Sequence, residues 1–284
     1  MLAMMEMHLS RRSRDLTLIL SAMPSEIRFI QNHIDGPKHG KLECFPYVTG
    51  RLNGRRVVTA VTGVGVTNAA MVTALFIHRF RPSEVLVSGT GSRFNPRIRT
   101  GDTVISVRTI HHAAGSLTNK GMVYRKVRGP LAGQMTHWAY RPDSRLLRLA
   151  KGAIKGYVAE PVTANGETYV PSVLTGVVTA SDLFGVSDAK IADMRRKLDP
   201  DLMEMESAAI AQVCAQLGVP HIVFRAGSNR TQSNPGNDYR LLGQKAAWAA
   251  ARWTMYFAGV LARLPDRAAT GQRLSRQRGA GTPA

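Results

Sequence analysis

Between Leu16 and Leu264 short β-rich runs alternate with helical patterns, and that alternation restricts the fold more than any other feature of the chain. Leu16-Thr17-Leu18-Ile19-Leu20 is an apolar run of strand length. Pro24 to Ile34 follows with helical spacing and a proline at a tolerated first-turn position. Val57 to Thr62, Glu84 to Val87, Asp102 to Ile110, Leu174 to Thr179 and His221 to Phe224 read as further strands. Thr67 to Phe80, Ser144 to Ile154, Ala189 to Leu198, Ser207 to Leu217 and the Ala-rich Gln244 to Leu264 read as helices, with Gly218 closing the one at 207–217. Strands that alternate with helices imply a largely parallel sheet covered on both faces. The expected fold is an α/β three-layer sandwich with a central mixed sheet. Residues 16–264 form one domain, without repeat or linker. Ala113 to Gln134, Gly-rich and basic, is expected to be an excursion from that domain.

Composition limits the classes of function. The formal charge is +19, which favours anionic partners, yet no zinc-finger spacing, aromatic-rich basic strand or basic heptad accompanies it. A basic enzyme is expected, and nucleic acid is not expected as a partner. Residues 1–15 form an N-terminal extension lacking the order of a secretory signal. Residues 265–284 carry Arg267, Arg273, Arg276 and Arg278 among Gly, Ala, Ser, Gln and Pro, and are expected to be a disordered basic tail. No apolar run approaches the ~20 residues of a membrane span. Two cysteines, Cys44 and Cys214, make no disulfide framework, so a reducing cytoplasm is expected.

In sheets of this kind ligands bind beyond the carboxyl ends of the strands. That points to Ala22–Glu26, Gly63–Gly65, Gly89–Arg93, Ser181–Gly185, Met203–Glu206 and Gly227–Asn229. Gly63-Val64-Gly65 and Gly89-Thr90-Gly91 read as tight turns that let backbone approach a ligand; neither matches a Walker loop or a full dinucleotide fingerprint. Met203-Glu204-Met205-Glu206-Ser207 places a carboxylate where a short strand meets a helix. Such a group either caps the helix or accepts hydrogen bonds from vicinal hydroxyls, as on a ribose. His111-His112 lacks a third ligand spaced nearby, so neither a metal nor any other cofactor is expected. Ser181-Asp182 shows no His partner in the sequence around it, which discards a hydrolase triad.

Five segments, in order, resemble the methylthioadenosine/S-adenosylhomocysteine nucleosidases of the nucleoside phosphorylase/nucleosidase superfamily. They are Ser21-Ala22-Met23-Pro24-Ser25-Glu26; the run Arg81 to Ser106 with Ser88-Gly89-Thr90-Gly91-Ser92 and Thr100-Gly101-Asp102; Asp182-Leu183-Phe184; Met203 to Val219; and Val223-Phe224-Arg225-Ala226-Gly227-Ser228-Asn229. The resemblance covers roughly residues 16–260 and implies a phosphorylase/hydrolase-like fold, a purine nucleoside as substrate, and at least a homodimer in which a neighbouring subunit closes the pocket. It implies that Glu26 orients or deprotonates the attacking water, that Met205 and Glu206 grip the ribose, and that Phe184 stacks on the base. Thr90, with Gly91 beside it, falls near base and water, and Ser228 and Asn229 occupy the site that holds and protonates the purine.

Asn229 departs from the pattern, because the adenine-specific members have Asp there. A carboxamide gives up no proton but donates one hydrogen bond and accepts another, which suits a 6-oxopurine. The trimeric purine nucleoside phosphorylases also use Asn. Phosphorolysis needs a cationic pocket, and where related phosphorylases carry arginines this chain has Ser25 and the apolar Leu86 and Val87. Glu26 would repel phosphate, leaving Arg28 and Arg93 as the substitutes to consider. Asp238, expected in a loop after Asn229, is a candidate for the missing acid. Three functions stay open: cleavage of an N-glycosidic bond by water, the same cleavage by phosphate, and non-catalytic nucleoside binding or storage.

Overall fold

A computed structural model describes residues 15–129, 133–230 and 235–264, with backbone alone for 235–238. The tail expected at 265–284 lies outside the described residues, as does the extension expected at 1–15 except for its last residue, Asp15. The strands are β1 (Leu16–Ser21), β2 (Asp35–Leu42), β3 (Phe45–Leu52), β4 (Arg55–Val61), β5 (Glu84–Arg93), β6 (Thr103–His111), β7 (Gly115–Thr118), β8 (Gly121–Tyr124), β9 (Ala139–Tyr140), β10 (Val162–Ala164), β11 (Glu167–Tyr169), β12 (Val173–Ala180), β13 (Leu202–Glu204) and β14 (His221–Arg230). The helices are α1 (Pro24–Gln31), α2 (Val66–Phe80), α3 (Ser144–Ala153), α4 (Asp188–Lys197), α5 (Ser207–Gln216) and α6 (Pro235–Ala262).

The central sheet runs β13-β12-β6-β14-β5-β1-β4-β3-β2, with β9 on β6. Its middle is parallel: β4, β1, β5 and β14 align in one direction. β14 meets β6 antiparallel, and the β2–β3–β4 meander is antiparallel as well, so the sheet is mixed. Strand alternation sends successive side chains to opposite faces. Leu18 and Leu20 join Phe76, Ile210 and Cys214 under α2 and α5. Ile19, Leu86, Ile222 and Phe224 face the other way, against Ile27 and Ile30 of α1, Leu146 of α3 and Trp253 and Phe257 of α6. Strands buried on both faces explain why β1, β5 and β14 carry runs such as Leu18-Ile19-Leu20, Val85-Leu86-Val87 and Ile222-Val223-Phe224 instead of apolar–polar alternation.

Several expectations change. β2 and β3 were not anticipated; β2 is an exposed edge strand and carries no apolar alternation. Gly89-Thr90-Gly91 is not a turn but part of β5, and Gly227 to Asn229 lies within β14 rather than after it, because the two strands pair from Val85–His221 to Gly91–Gly227. Part of the 113–134 excursion is an ordered hairpin, β7–β8. Helix α6 begins at Pro235, so Asp238 lies in its first turns and not in a loop. Among the described residues no helix is long and apolar enough to cross a membrane.

Candidate functional site

The carboxyl ends of β1, β5, β13 and β14 meet around a cavity of about 260 Å³. Glu26, Thr90, Gly91, Phe184, Met205, Glu206, Ser228 and Asn229 all line it. Eight residues that the sequence places in five segments are thus brought to one cavity.

Glu26 sits in the first turn of α1 and is 1% exposed. Its Oε2 accepts the backbone N–H groups of Ala22 (3.0 Å) and Met23 (3.2 Å). Its Oε1 accepts the Thr90 N–H and hydroxyl, each at 2.8 Å. The carboxylate is therefore fixed at the cavity floor by two different strand ends. Burial raises its pKa, and the Arg225 guanidinium, 3.8 Å away, opposes that shift.

The Met203–Ser207 junction divides labour between two glutamates. Glu204 performs the cap: its carboxylate accepts the N–H groups of Glu206 and Ser207 and the Ser207 hydroxyl, all at 3.0 Å. Glu206, at the N-cap position of α5, makes no capping bond with its own side chain. Instead its Oε1 accepts the Gly65 N–H at 3.1 Å and its Oε2 faces Arg225 Nη2 at 3.1 Å. Gly65 has φ +98° and a Cβ there would lie 2.7 Å from Asp182 Oδ1, so this turn needs glycine.

Arg225 is the residue that sequence reasoning missed. It is 1% exposed and bonds Glu204 (2.5 Å), Glu206 (3.1 Å) and the Ser207 hydroxyl (3.1 Å) while facing Glu26. The available signal was a charged residue within a buried strand, since an arginine is almost never fully buried without partners. One guanidinium among three carboxylates leaves the cluster short of positive charge, and buried carboxyls then hold protons more tightly. Burial, with Glu204 nearby, pushes Glu206 up to about 7 against the pull of Arg225.

The far wall is β14. Asn229, 1% exposed, donates from Nδ2 to Ser92 Oγ (3.0 Å) and the Arg230 carbonyl (3.1 Å), and its Oδ1 accepts the Ser228 hydroxyl at 2.9 Å. Leu183 and Phe184 flank the opening and are 48% and 58% exposed. Tyr239 of α6 also lines the cavity, its hydroxyl 3.5 Å from Thr90 Oγ1. Arg28 is exposed and Arg93 lines a different pocket, so neither supplies this cavity with a cation. Contrary to the sequence reading, Ser181 does have a histidine partner: its hydroxyl lies 2.8 Å from His112 Nε2. Among the described residues no group of three or more His, Cys, Asp or Glu side chains has the arrangement to hold a metal ion.

Residues 17–264 match the family model described as the phosphorylase superfamily. The chain is 32% identical over 248 residues to a 5'-methylthioadenosine/S-adenosylhomocysteine nucleosidase from Geobacillus kaustophilus, covering 86% of this chain and 96% of that protein. It is 34% identical over 213 residues to the protein of the same description from Geobacillus thermodenitrificans, covering 74% and 82%. A crystal structure of such a nucleosidase from Neisseria meningitidis, in complex with methylthio-immucillin-A, matches with a TM-score of 0.74 at 27% identity, covering 88% of this chain and 100% of that one.

Proposed function

The chain belongs to the phosphorylase superfamily, and we propose that it is a purine nucleosidase, an N-glycosyl hydrolase that splits the bond between base and ribose with water. The observation that carries this reading is the fixed, buried Glu26 carboxylate at the cavity floor, beside Thr90 and Arg225. Cleavage builds positive charge on the sugar and negative charge on the departing purine. Glu26 orients a water and takes its proton as oxygen attacks the anomeric carbon, while the electrons of the breaking C–N bond leave with the base. Glu206 accepts hydrogen bonds from the ribose hydroxyls, Met205 packs on the sugar, and Phe184 stacks on the purine. Ser228 positions Asn229, which donates a hydrogen bond to the leaving purine without protonating it; the base is protonated from solvent. Asn229 already spends both amide hydrogens on Ser92 and Arg230. Base recognition exchanges one of these bonds, and the carboxamide admits a 6-oxopurine or, with a weaker leaving-group interaction, an adenine nucleoside.

Water is favoured over phosphate because Arg225 is the one cation among the described residues lining the cavity, and three carboxylates already engage it. Val64, Leu183 and Phe184, exposed at the mouth, favour a homo-oligomer in which a second copy covers the opening. Both cysteines are free, which accords with a cytoplasmic protein.

Glu26→Gln tests the reading. Removing the base should lower kcat by about 10²–10⁴-fold while binding of free purine persists. A folded variant with wild-type kcat would remove Glu26 from the chemistry.

A further inference from the structure

Strands β6 and β12 run parallel with His111 opposite Ala180, so the next residue of each, His112 and Ser181, emerge side by side at the sheet's carboxyl edge. They are 0% and 3% exposed. The Ser181 oxygen accepts the Leu183 N–H at 3.2 Å, closing a turn over Asp182. The same hydroxyl is hydrogen-bonded to His112 Nε2, 2.8 Å away. The histidine's backbone is anchored in turn: its amide N–H donates to the Ala180 carbonyl (3.1 Å) and its carbonyl accepts from Lys190 Nζ (3.2 Å). Burial, with Lys190 nearby, lowers its pKa to about 4, so the ring is neutral at pH 7. Asp182 ties the same turn to the cavity's other side, its Oδ1 accepting the Val66 N–H at 2.7 Å. The turn's next residue is Phe184, which lines the cavity although more than half exposed.

A serine bonded to a histidine invites comparison with a nucleophile. Here the hydroxyl is buried and already spanned by Leu183, and no described carboxylate bonds His112 Nδ1. The pair has the geometry of a brace. We propose that Ser181 and His112 are positioning residues that fix the turn presenting Phe184 to the purine, and thereby set affinity for the base without entering the bond-breaking step. The ligand's identity rests on the nucleosidase reading; the brace itself is read from binding alone.

The experiment measures the Kd of adenine and hypoxanthine by calorimetry, with KM and kcat for a nucleoside, in Ser181→Ala, His112→Leu, His112→Gln and Phe184→Ala. Ser181→Ala and His112→Leu should each raise purine Kd and nucleoside KM about tenfold, the equivalent of ~1.4 kcal/mol and the size of one lost buried hydrogen bond. kcat should stay within about twofold. His112→Gln should restore binding, because its side-chain amide can bond the Ser181 hydroxyl as donor or acceptor. Placed in the Phe184→Ala background, Ser181→Ala should add less than about twofold, since the two act through one contact. A folded Ser181→Ala that binds purine like the wild type overturns the brace. So does an undiminished tenfold loss in the Phe184→Ala background, or His112→Gln behaving like His112→Leu; the His112 pair decides the matter if Ser181→Ala does not fold. Wild-type protein that binds purine but releases none from any nucleoside would refute the nucleosidase reading and leave the brace standing.

Discussion

Glu204 and Glu206 stand two residues apart and meet different fates, because the cap at the start of α5 has room for one carboxylate. With Glu204 taken by backbone N–H groups, Glu206 is left to the cavity and to Arg225. Glu206→Gln should therefore weaken binding of a ribonucleoside by about 1.5–3 kcal/mol, the worth of hydrogen bonds to a charged group, with the circular dichroism spectrum unchanged. Unchanged affinity in a folded variant would rule out the ribose role. The pKa of about 7 adds a pH signature. An acid whose pKa is higher in the folded than in the unfolded protein contributes most to stability below its ordinary value of 4.5, and that contribution is lost as pH rises through the folded value. The melting temperature of Glu206→Gln relative to wild type should thus improve between pH 4.5 and about 7. Activity has the opposite sign, since Glu206 acts as a carboxylate: kcat/KM should climb with pH through the same range. A flat profile from pH 5 to 8 would contradict this ionisation. Asn229→Asp supplies the proton donor that Asn lacks, so release of adenine from methylthioadenosine should rise and release of hypoxanthine from inosine should fall; no gain on methylthioadenosine would show that base choice is set elsewhere.

At the scale of elements, the site depends on two parallel strands, β5 and β14, continuing past their apolar runs. The apolar part was legible in sequence, and so were α1, α2, α3, α4 and α5 to within a few residues. Gly89-Thr90-Gly91 and Gly227-Ser228-Asn229 read as punctuation because glycine and small polar residues normally end strands. In the folded protein those glycines make space. A Cβ on Gly89 would come 2.3 Å from Arg225 Nη1 and 2.8 Å from Glu26 Oε1. Gly89→Ala should accordingly depress kcat along with the melting temperature; overpacking of this kind costs about 1–3 kcal/mol. A variant with normal stability and activity would show that the cluster is looser than drawn. β2 was illegible for another reason: Asp35-Gly36-Pro37-Lys38-His39-Gly40-Lys41-Leu42 is solvated on an edge and carries no burial pattern to read. Arg225 was visible in the sequence but its partners were not, since Glu26, Glu204 and Glu206 reach it only once β1, β13 and β14 are assembled.

The whole molecule carries a formal charge of +19, yet among the described residues the cavity at the converging strand ends holds three carboxylates against a single arginine. A cavity of that sign suits a neutral nucleoside and water, and disfavours a phosphate dianion. The exposed apolar rim of Val64, Leu183 and Phe184 predicts a dimer or larger oligomer by sedimentation; a fully active monomer would contradict a shared pocket. The most direct measurement is release of free base from adenosine, methylthioadenosine, inosine and guanosine in phosphate-free buffer and again with phosphate added. The expected result is release from at least one of them without phosphate, at a rate that phosphate does not increase, with free sugar as the second product. Release that requires phosphate and yields the sugar 1-phosphate would make the protein a phosphorylase, and no release from any of the four would leave it a nucleoside-binding protein.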